Sequence, residues 1–283
     1  MAQLALVLTT VIWAATFPAT KLALEQVLPL SFLFLRFLIS CLVLVSVVVL
    51  AGRPIRRTRE SLRPAAVASV FLFLGYATQT VGMRYTTASN SAFITALYAV
   101  LVPLFLRRFD LRHWAALTLA MSGLWVLIRP SAAMNRGDLY TLACAVAFAL
   151  HIIVVEAYVH RAEVLSFSAW QLVMVTGALV GPALMEGYRP WTVAVTPTLV
   201  WALVITGVLA TALAFCVQVW AQRVVPAQRV ALIFALEPAL AAWFAWLVLG
   251  ERLDTMGWVG SGLITAGVLI GTMPGRRADA SRS

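Results

Sequence analysis

The stretch ALEPALAAWFAWLVLG, Ala235 to Gly250, sets one carboxylate and one proline inside an otherwise apolar run. Its length and lack of apolar/polar alternation read as a helix rather than a half-buried strand. Whether Glu237 is a defect or a working group depends on the solvent around that helix. Of the 283 residues, 62% are hydrophobic and only 11% are charged, too few to cover a water-soluble fold. A helix needs roughly 20 apolar residues to cross a bilayer. Ten such segments are predicted, near 4–24, 30–51, 65–84, 89–106, 112–129, 139–158, 166–186, 198–220, 227–249 and 256–273. Strand-length segments of alternating polarity, the mark of a membrane barrel, are not seen. The expected fold is all-α: a polytopic transmembrane bundle of ten helices with no soluble domain.

The net charge of +10 is distributed unevenly. With the N-terminus inside, 14 arginines fall on the cytoplasmic side, five of them in 53–63, whereas five arginines and Lys21 fall on the other side. That asymmetry follows the positive-inside rule and places both termini in the cytoplasm of a cell (inner) membrane. The basic loops then face lipid headgroups, not nucleic acid. Cys41, Cys144 and Cys216 all lie within predicted spans and read as packing residues, with no metal-ligand spacing. The first apolar segment lacks a basic leader and a cleavage site before Lys21, and is kept as a span.

An internal repeat organises the chain. At an offset of 135 positions Trp13 meets Phe148, Lys21 meets Glu156 and Arg36 meets Gln171. At 139, Tyr76 meets Phe215, Gln79 meets Gln218, Ala88 meets Ala227 and Tyr98 meets Glu237. At 144, Gly123 meets Gly267. Two five-span repeats are expected, 1–133 and 134–283, forming one membrane domain. Five is odd, so the second repeat enters the membrane from the opposite side, the inverted arrangement of secondary transporters with a site at the midplane.

Several stretches carry a resemblance: TFPATK (16–21), LRFLIS (35–40), RYTTASNSAFITAL (84–97), GDLYTLACAVAFALHII (137–153) and RVVPAQRVALIFALEPALAAWFAWLVLGERL (223–253). Together they resemble the EamA repeats of the drug/metabolite transporter superfamily over nearly the whole chain, and among its ten-span members the YddG-type amino-acid exporters. The resemblance implies export of small metabolites through a central cavity ringed by spans one, three, four, six, eight and nine, without a nucleotide-driven motor or cofactor. Consistently, the only lysine, Lys21, follows Thr20, so no Gly-Lys-Ser/Thr phosphate loop exists.

Polar and aromatic groups on those spans are the candidates for the cavity. Tyr76 and Gln79 share a face of span three with Met83, and Phe215 and Gln218 are their repeat partners. A glutamine in hydrocarbon needs a partner, so both glutamines are either cavity groups or interhelical glue. Trp13, Phe17 and Tyr76 offer flat apolar walls, though core packing explains such residues equally well. Tyr98 pairs with Glu237 in the repeat. His151 is a cavity hydrogen-bond group or a satisfied packing histidine. Arg36, two turns into span two, snorkels or binds carbonyls. Pro238 predicts a kink at Glu237, and Pro18 and Pro103 predict comparable hinges.

The function expected is export of aromatic or hydrophobic amino acids, or similar small metabolites, by alternating access through a monomer. The alternative is a multidrug or metabolite efflux carrier driven by protons through Glu237 or His151. An intramembrane enzyme is a poor fit: His113, His151 and His160 are scattered, neither HExxH nor Gly-x-Ser-x-Gly occurs, and no catalytic residue or metal site is expected. A channel would show conductance far above carrier turnover.

Overall fold

The computed structural model describes residues 1–108, 110–128, 135–189, 193–249 and 254–272. The expected boundary between the repeats, at 133/134, lies outside them. Among the described residues every regular element is helical. Helices α1 (Ala2–Ala23), α2 (Pro29–Leu50) and α3 (Arg59–Gly82) are followed by the short α4 (Ala88–Thr95) and α5 (Tyr98–Phe105), then α6 (Leu111–Ile128). The second part holds α7 (Arg136–Tyr158), α8 (Val164–Met185), α9 (Pro197–Leu203), a π-helical segment (Val204–Leu213), α10 (Ala214–Ala221), α11 (Ala227–Phe234), α12 (Glu237–Leu249) and α13 (Thr255–Thr272). Among the described residues eight stretches are long and apolar enough to cross a membrane, including Pro197–Ala221 and Ala227–Val248 taken as single runs; Asn90–Phe105 is a shorter apolar helix.

Local sequence explains the helix starts. Pro29 and Pro197 open their helices, where a missing N–H costs nothing. Asn135 and Asp138 form a reciprocal capping box on α7, Glu163 accepts from the Leu165 and Ser166 amides on α8, and Thr196 accepts from the Leu199 amide on α9. These side chains satisfy donors that would otherwise end unpaired at the membrane boundary.

Close helix contacts depend on missing side chains. A Cβ on Gly123 would sit 2.6 Å from the Gly260 carbonyl, and one on Gly267 2.6 Å from the Ala116 carbonyl, so α6 and α13 pack backbone to backbone. Between α3 and α7, Gly82 faces the Gly137 carbonyl and Gly75 faces the Phe148 ring. Helix α1 runs through the centre and touches α9, the π-helical segment, α10, α11 and α12. Its first half joins α5, α10 and α11 in one apolar cluster around Leu6, Val102, Val225 and Val230. Its second half joins α3, α4 and α12 in another around Phe17, Met83, Ala92 and Ala241.

The breaks differ from expectation. The predicted kink at Pro238 lies earlier, at Ala235–Leu236, and Pro238 occupies the first turn of α12, where its ring and missing N–H are tolerated. The fourth predicted span breaks at Ala96–Leu97, not at Pro103, which lies inside α5. Pro18 likewise lies inside a continuous α1. Both breaks are single tightened turns: the Leu97 amide donates to the Ile94 carbonyl and the Leu236 amide to the Ile233 carbonyl, each at 3.1 Å. They stand 139 positions apart, yet Ala99 occupies the place of Pro238 in the first of them. A proline is therefore not required for the break.

Candidate functional site

The turn at Ala235–Leu236 delivers Glu237 to the middle of the bundle, where it is 6% exposed. Its Oε2 accepts a 3.1 Å hydrogen bond from the Tyr98 hydroxyl, which the matching turn at Ala96–Leu97 delivers from the other half of the chain. Both side chains face a cavity of about 40 Å³. The cavity is lined by Trp13, Thr16 and Phe17 of α1, Tyr76 and Gln79 of α3, Tyr98 of α5, and Phe148, His151 and Ile152 of α7; Phe215 and Gln218 of α10, Phe234 of α11 and Glu237 of α12 complete it. All nine cavity candidates named from the sequence are brought together here. Four lining residues were missed: Thr16, Phe148, Ile152 and Phe234. For Phe148 a signal existed, since it is the repeat partner of Trp13.

Aromatic rings form most of the wall. Trp13 sits between Phe215 (centroids 5.4 Å apart) and Phe234 (4.7 Å), and its indole N–H donates to the Ala210 carbonyl at 2.7 Å. That carbonyl belongs to the π-helical segment, whose wider turns expose groups an α-helix keeps paired. The Thr211 hydroxyl spans five residues back to the Thr206 carbonyl, 2.7 Å away. Tyr76 meets Phe37, Phe148 and Phe215 edge to face, at 5.3, 5.1 and 6.0 Å. Such contacts fix ring orientation beyond what burial alone achieves.

The two glutamines do not bond each other. Gln79 donates to Thr95 at 3.2 Å; Gln218 donates to Gln222 at 2.9 Å, which in turn donates to the Ile152 carbonyl at 2.9 Å. Oε1 of Gln218 is buried with no hydrogen-bond partner among the described residues. One ring nitrogen of His151, Nε2, lies 2.8 Å from the Gln171 amide, so its tautomer is set by a neighbour on α8.

Arg36 departs furthest from expectation. It does not snorkel: it is 2% exposed, its Nε donates to Thr211 Oγ1 at 2.9 Å, and its Nη2 donates to the Tyr76 hydroxyl at 3.0 Å. The guanidinium carbon lies 4.3 Å from the centre of the Tyr76 ring, a cation–π contact. Arg36 thus stands one hydrogen bond behind the cavity wall.

Lys21 and Glu156 lie at opposite ends of the bundle. Lys21 donates to the Met83 and Thr86 carbonyls, at 2.7 and 2.9 Å, closing the C-terminal end of α3. Glu156 accepts from Arg108 at 3.2 Å and from the Ala227 amide, at the start of α11, at 3.0 Å. Among the described residues no group of three or more His, Cys, Asp or Glu is placed to hold a metal ion.

Comparison with known proteins bears on what such a cavity is for. The family model described as the EamA-like transporter family matches residues 1–129 and again 135–273. An uncharacterized transporter of Archaeoglobus fulgidus (strain ATCC 49558 / DSM 4304 / JCM 9628 / NBRC 100126 / VC-16) is 31% identical over 274 residues, covering 95% of this chain and 85% of that protein. The uncharacterized transporter YoaV of Bacillus subtilis (strain 168) is 23% identical over 287 residues, covering 95% and 96%. A solved crystal structure matches the fold with a TM-score of 0.78 at 17% identity, over 98% of both chains. Its low identity speaks to the fold alone. With both parts of the chain matched and a multi-pass helical bundle around a buried polar cavity, the chain belongs to the EamA-like transporter family and is a membrane transporter.

Proposed function

We propose that this transporter exports amino acids with aromatic or other hydrophobic side chains, or similar small metabolites, by alternating access, as the YddG-type exporters do. The observation that carries the reading is the cavity itself. Five phenylalanine and tryptophan rings surround Tyr76, Gln79, Tyr98, His151, Gln218 and Glu237. Apolar walls with a few placed polar groups are what a small amphipathic solute requires. By the volume one water needs, about 40 Å³ holds on the order of three waters, so the cavity must widen to admit a solute. Eleven of the thirteen lining residues are buried, as in a carrier held between its two open forms.

Ten spans follow if α4–α5 and α6 cross the membrane together with the eight long apolar stretches. Two inverted repeats, 1–133 and 134–283, are supported by the double family match and by the breaks 139 positions apart. The positive-inside asymmetry supports cytoplasmic termini in an inner membrane, and the transporting unit is read as a monomer. The turns at Ala96–Leu97 and Ala235–Leu236, with Pro238 beside the second and Pro18 and Pro103 in neighbouring helices, serve as hinges.

Counterflow of labelled phenylalanine, tryptophan and leucine into proteoliposomes tests the reading. Gln79→Ala, Gln218→Ala and Glu237→Gln are each expected to slow exchange at least tenfold at normal protein levels. Wild-type exchange by all three would remove the cavity from the transport path. A second reading, proton-driven efflux of drugs or metabolites, draws on Glu237 as a buried carboxylate in the lining. It requires that an imposed pH gradient drive accumulation, whereas a facilitator ignores one.

A further inference from the structure

Arg36 and Glu237 are ionisable groups of opposite sign at the centre of the bundle, and among the described residues neither forms an ion pair. Arg36 has five N–H donors, yet among the described residues only its Nε and Nη2 reach acceptors, on Thr211 and Tyr76. Leaving a guanidinium 2% exposed with donors unused is expensive in hydrocarbon. The Tyr76 hydroxyl accepts from Arg36, so its own proton must go elsewhere, and no acceptor for it exists among the described residues. The spare proton of the Tyr76 hydroxyl thus stands at the cavity wall on α3, with Arg36 of α2 directly behind it.

Spare acceptors are gathered on α10 and α12. Glu237 uses Oε2 for Tyr98, while Oε1 has no partner among the described residues. Oε1 of Gln218 is likewise unpartnered, on a residue only 1% exposed. Among the described residues seven buried side-chain atoms lack a hydrogen-bond partner, and of these Gln218 Oε1 alone belongs to a cavity-lining residue, beside the free Oε1 of Glu237.

We infer that the cavity reads both charged ends of a zwitterion: the Tyr76 hydroxyl, polarised by Arg36 behind it, donates to the α-carboxylate, and Glu237 with Gln218 accepts from the α-ammonium. The inference rests on the proposed export of amino acids and narrows it. A simple amine would leave the Tyr76 proton without an acceptor, and a simple acid would leave Glu237 facing a like charge. A zwitterion satisfies both groups and adds no net charge to the membrane interior. Its side chain then lies against Trp13, Phe215 and Phe234. Arg36 acts here as a positioning residue, because it reaches the solute through Tyr76.

The test compares three solutes of matched size in proteoliposomes of the full-length protein: phenylalanine, phenethylamine, which lacks the carboxylate, and 3-phenylpropanoate, which lacks the ammonium. The wild type is expected to exchange phenylalanine at least tenfold faster than either analogue, since an unmet hydrogen bond to a charged group costs that much or more. Tyr76→Phe, which keeps the ring and its packing, is expected to cut phenylalanine exchange about tenfold and leave phenethylamine unchanged. Arg36→Lys is expected to fall between, and Glu237→Gln to reduce the preference over phenylpropanoate instead. If Tyr76→Phe and Arg36→Lys slow all three solutes by one factor, or change none, the zwitterion assignment is overturned while amino-acid export stands. If the wild type exchanges no amino acid, the proposed function itself falls, and the assignment with it.

Discussion

Gly75→Ala places a single methyl group behind the cavity wall, and its cost can be worked from the packing. A Cβ at Gly75 would lie 2.5 and 2.6 Å from two carbons of the Phe148 ring. Ordinary carbon contacts are about 3.5–4.0 Å, so the ring must retreat by roughly 1 Å. Phe148 lines the cavity and rests edge to face on Tyr76, so the retreat disturbs the same wall that holds Tyr76. Overpacking of this kind costs about 1–3 kcal/mol, partly offset by the ~0.5–1 kcal/mol that alanine gains over glycine in a helix. The propensity gain is common to the empty and loaded forms, so if the overpacking penalty of about 1–3 kcal/mol falls on the loaded cavity, exchange drops by about 5- to 150-fold. Melting in detergent should move by only a few degrees, because the obstructing atoms are the far end of a side chain rather than backbone. Gly177→Ala, with nothing within 4 Å of the new methyl, is the control. Initial rates of phenylalanine counterflow beside melting curves decide the matter. Exchange unchanged in Gly75→Ala, or reduced equally in Gly177→Ala, would refute the link between Phe148 and transport.

Three other outcomes are expected. Gly123→Ala presses on the Gly260 carbonyl and the Ile264 amide nitrogen, which cannot give way, so it should lower the melting temperature by a cost of about 1–3 kcal/mol or more while residual exchange keeps its selectivity. Glu156→Ala should destabilise more than Arg108→Ala, because the half-exposed ion pair contributes only about 0–1 kcal/mol whereas Glu156 also holds the Ala227 amide; equal melting shifts would contradict this. At Glu163, partial burial raises the carboxyl pKa, but hydrogen bonds from the Ser166 hydroxyl and amide and the Leu165 amide outweigh it and hold the group below its ordinary 4.5. The stability it contributes is therefore complete above that value and lost as pH falls through the lower, folded one. The wild type, but not Glu163→Gln, should lose melting temperature in that acid window.

The site was legible where a residue broke the rule of its surroundings. Gln79, Gln218 and Glu237 stand out in apolar helices, and the repeat offset joined residues more than a hundred positions apart. Phe234 and Ile152 gave no such signal, since an apolar residue in an apolar span reads the same whether it faces lipid, core or cavity. Arg36 stood out as well, but its direction was misjudged: position along a helix does not tell whether a long cation reaches outward to headgroups or sideways to Thr211 and Tyr76. The proline signal misplaced the bends because proline is tolerated in the first turn of a helix, so the disruption falls before it. Nothing in the composition of 204–213 distinguishes its π-helical winding from an α-helix; tertiary partners such as Trp13 at the Ala210 carbonyl accompany it.

Lys21 and Glu156, 135 positions apart, have opposite signs, and the molecule is fastened differently at its two ends as a result. At one end a lysine grips neutral carbonyls; at the other a carboxylate grips a half-exposed arginine. Mobile ions screen the second contact over a Debye length of about 8 Å at physiological salt and affect the first much less. Raising ionic strength should therefore loosen one end and not the other. A body assembled from two similar halves acquires a front and a back from a single reversal of charge.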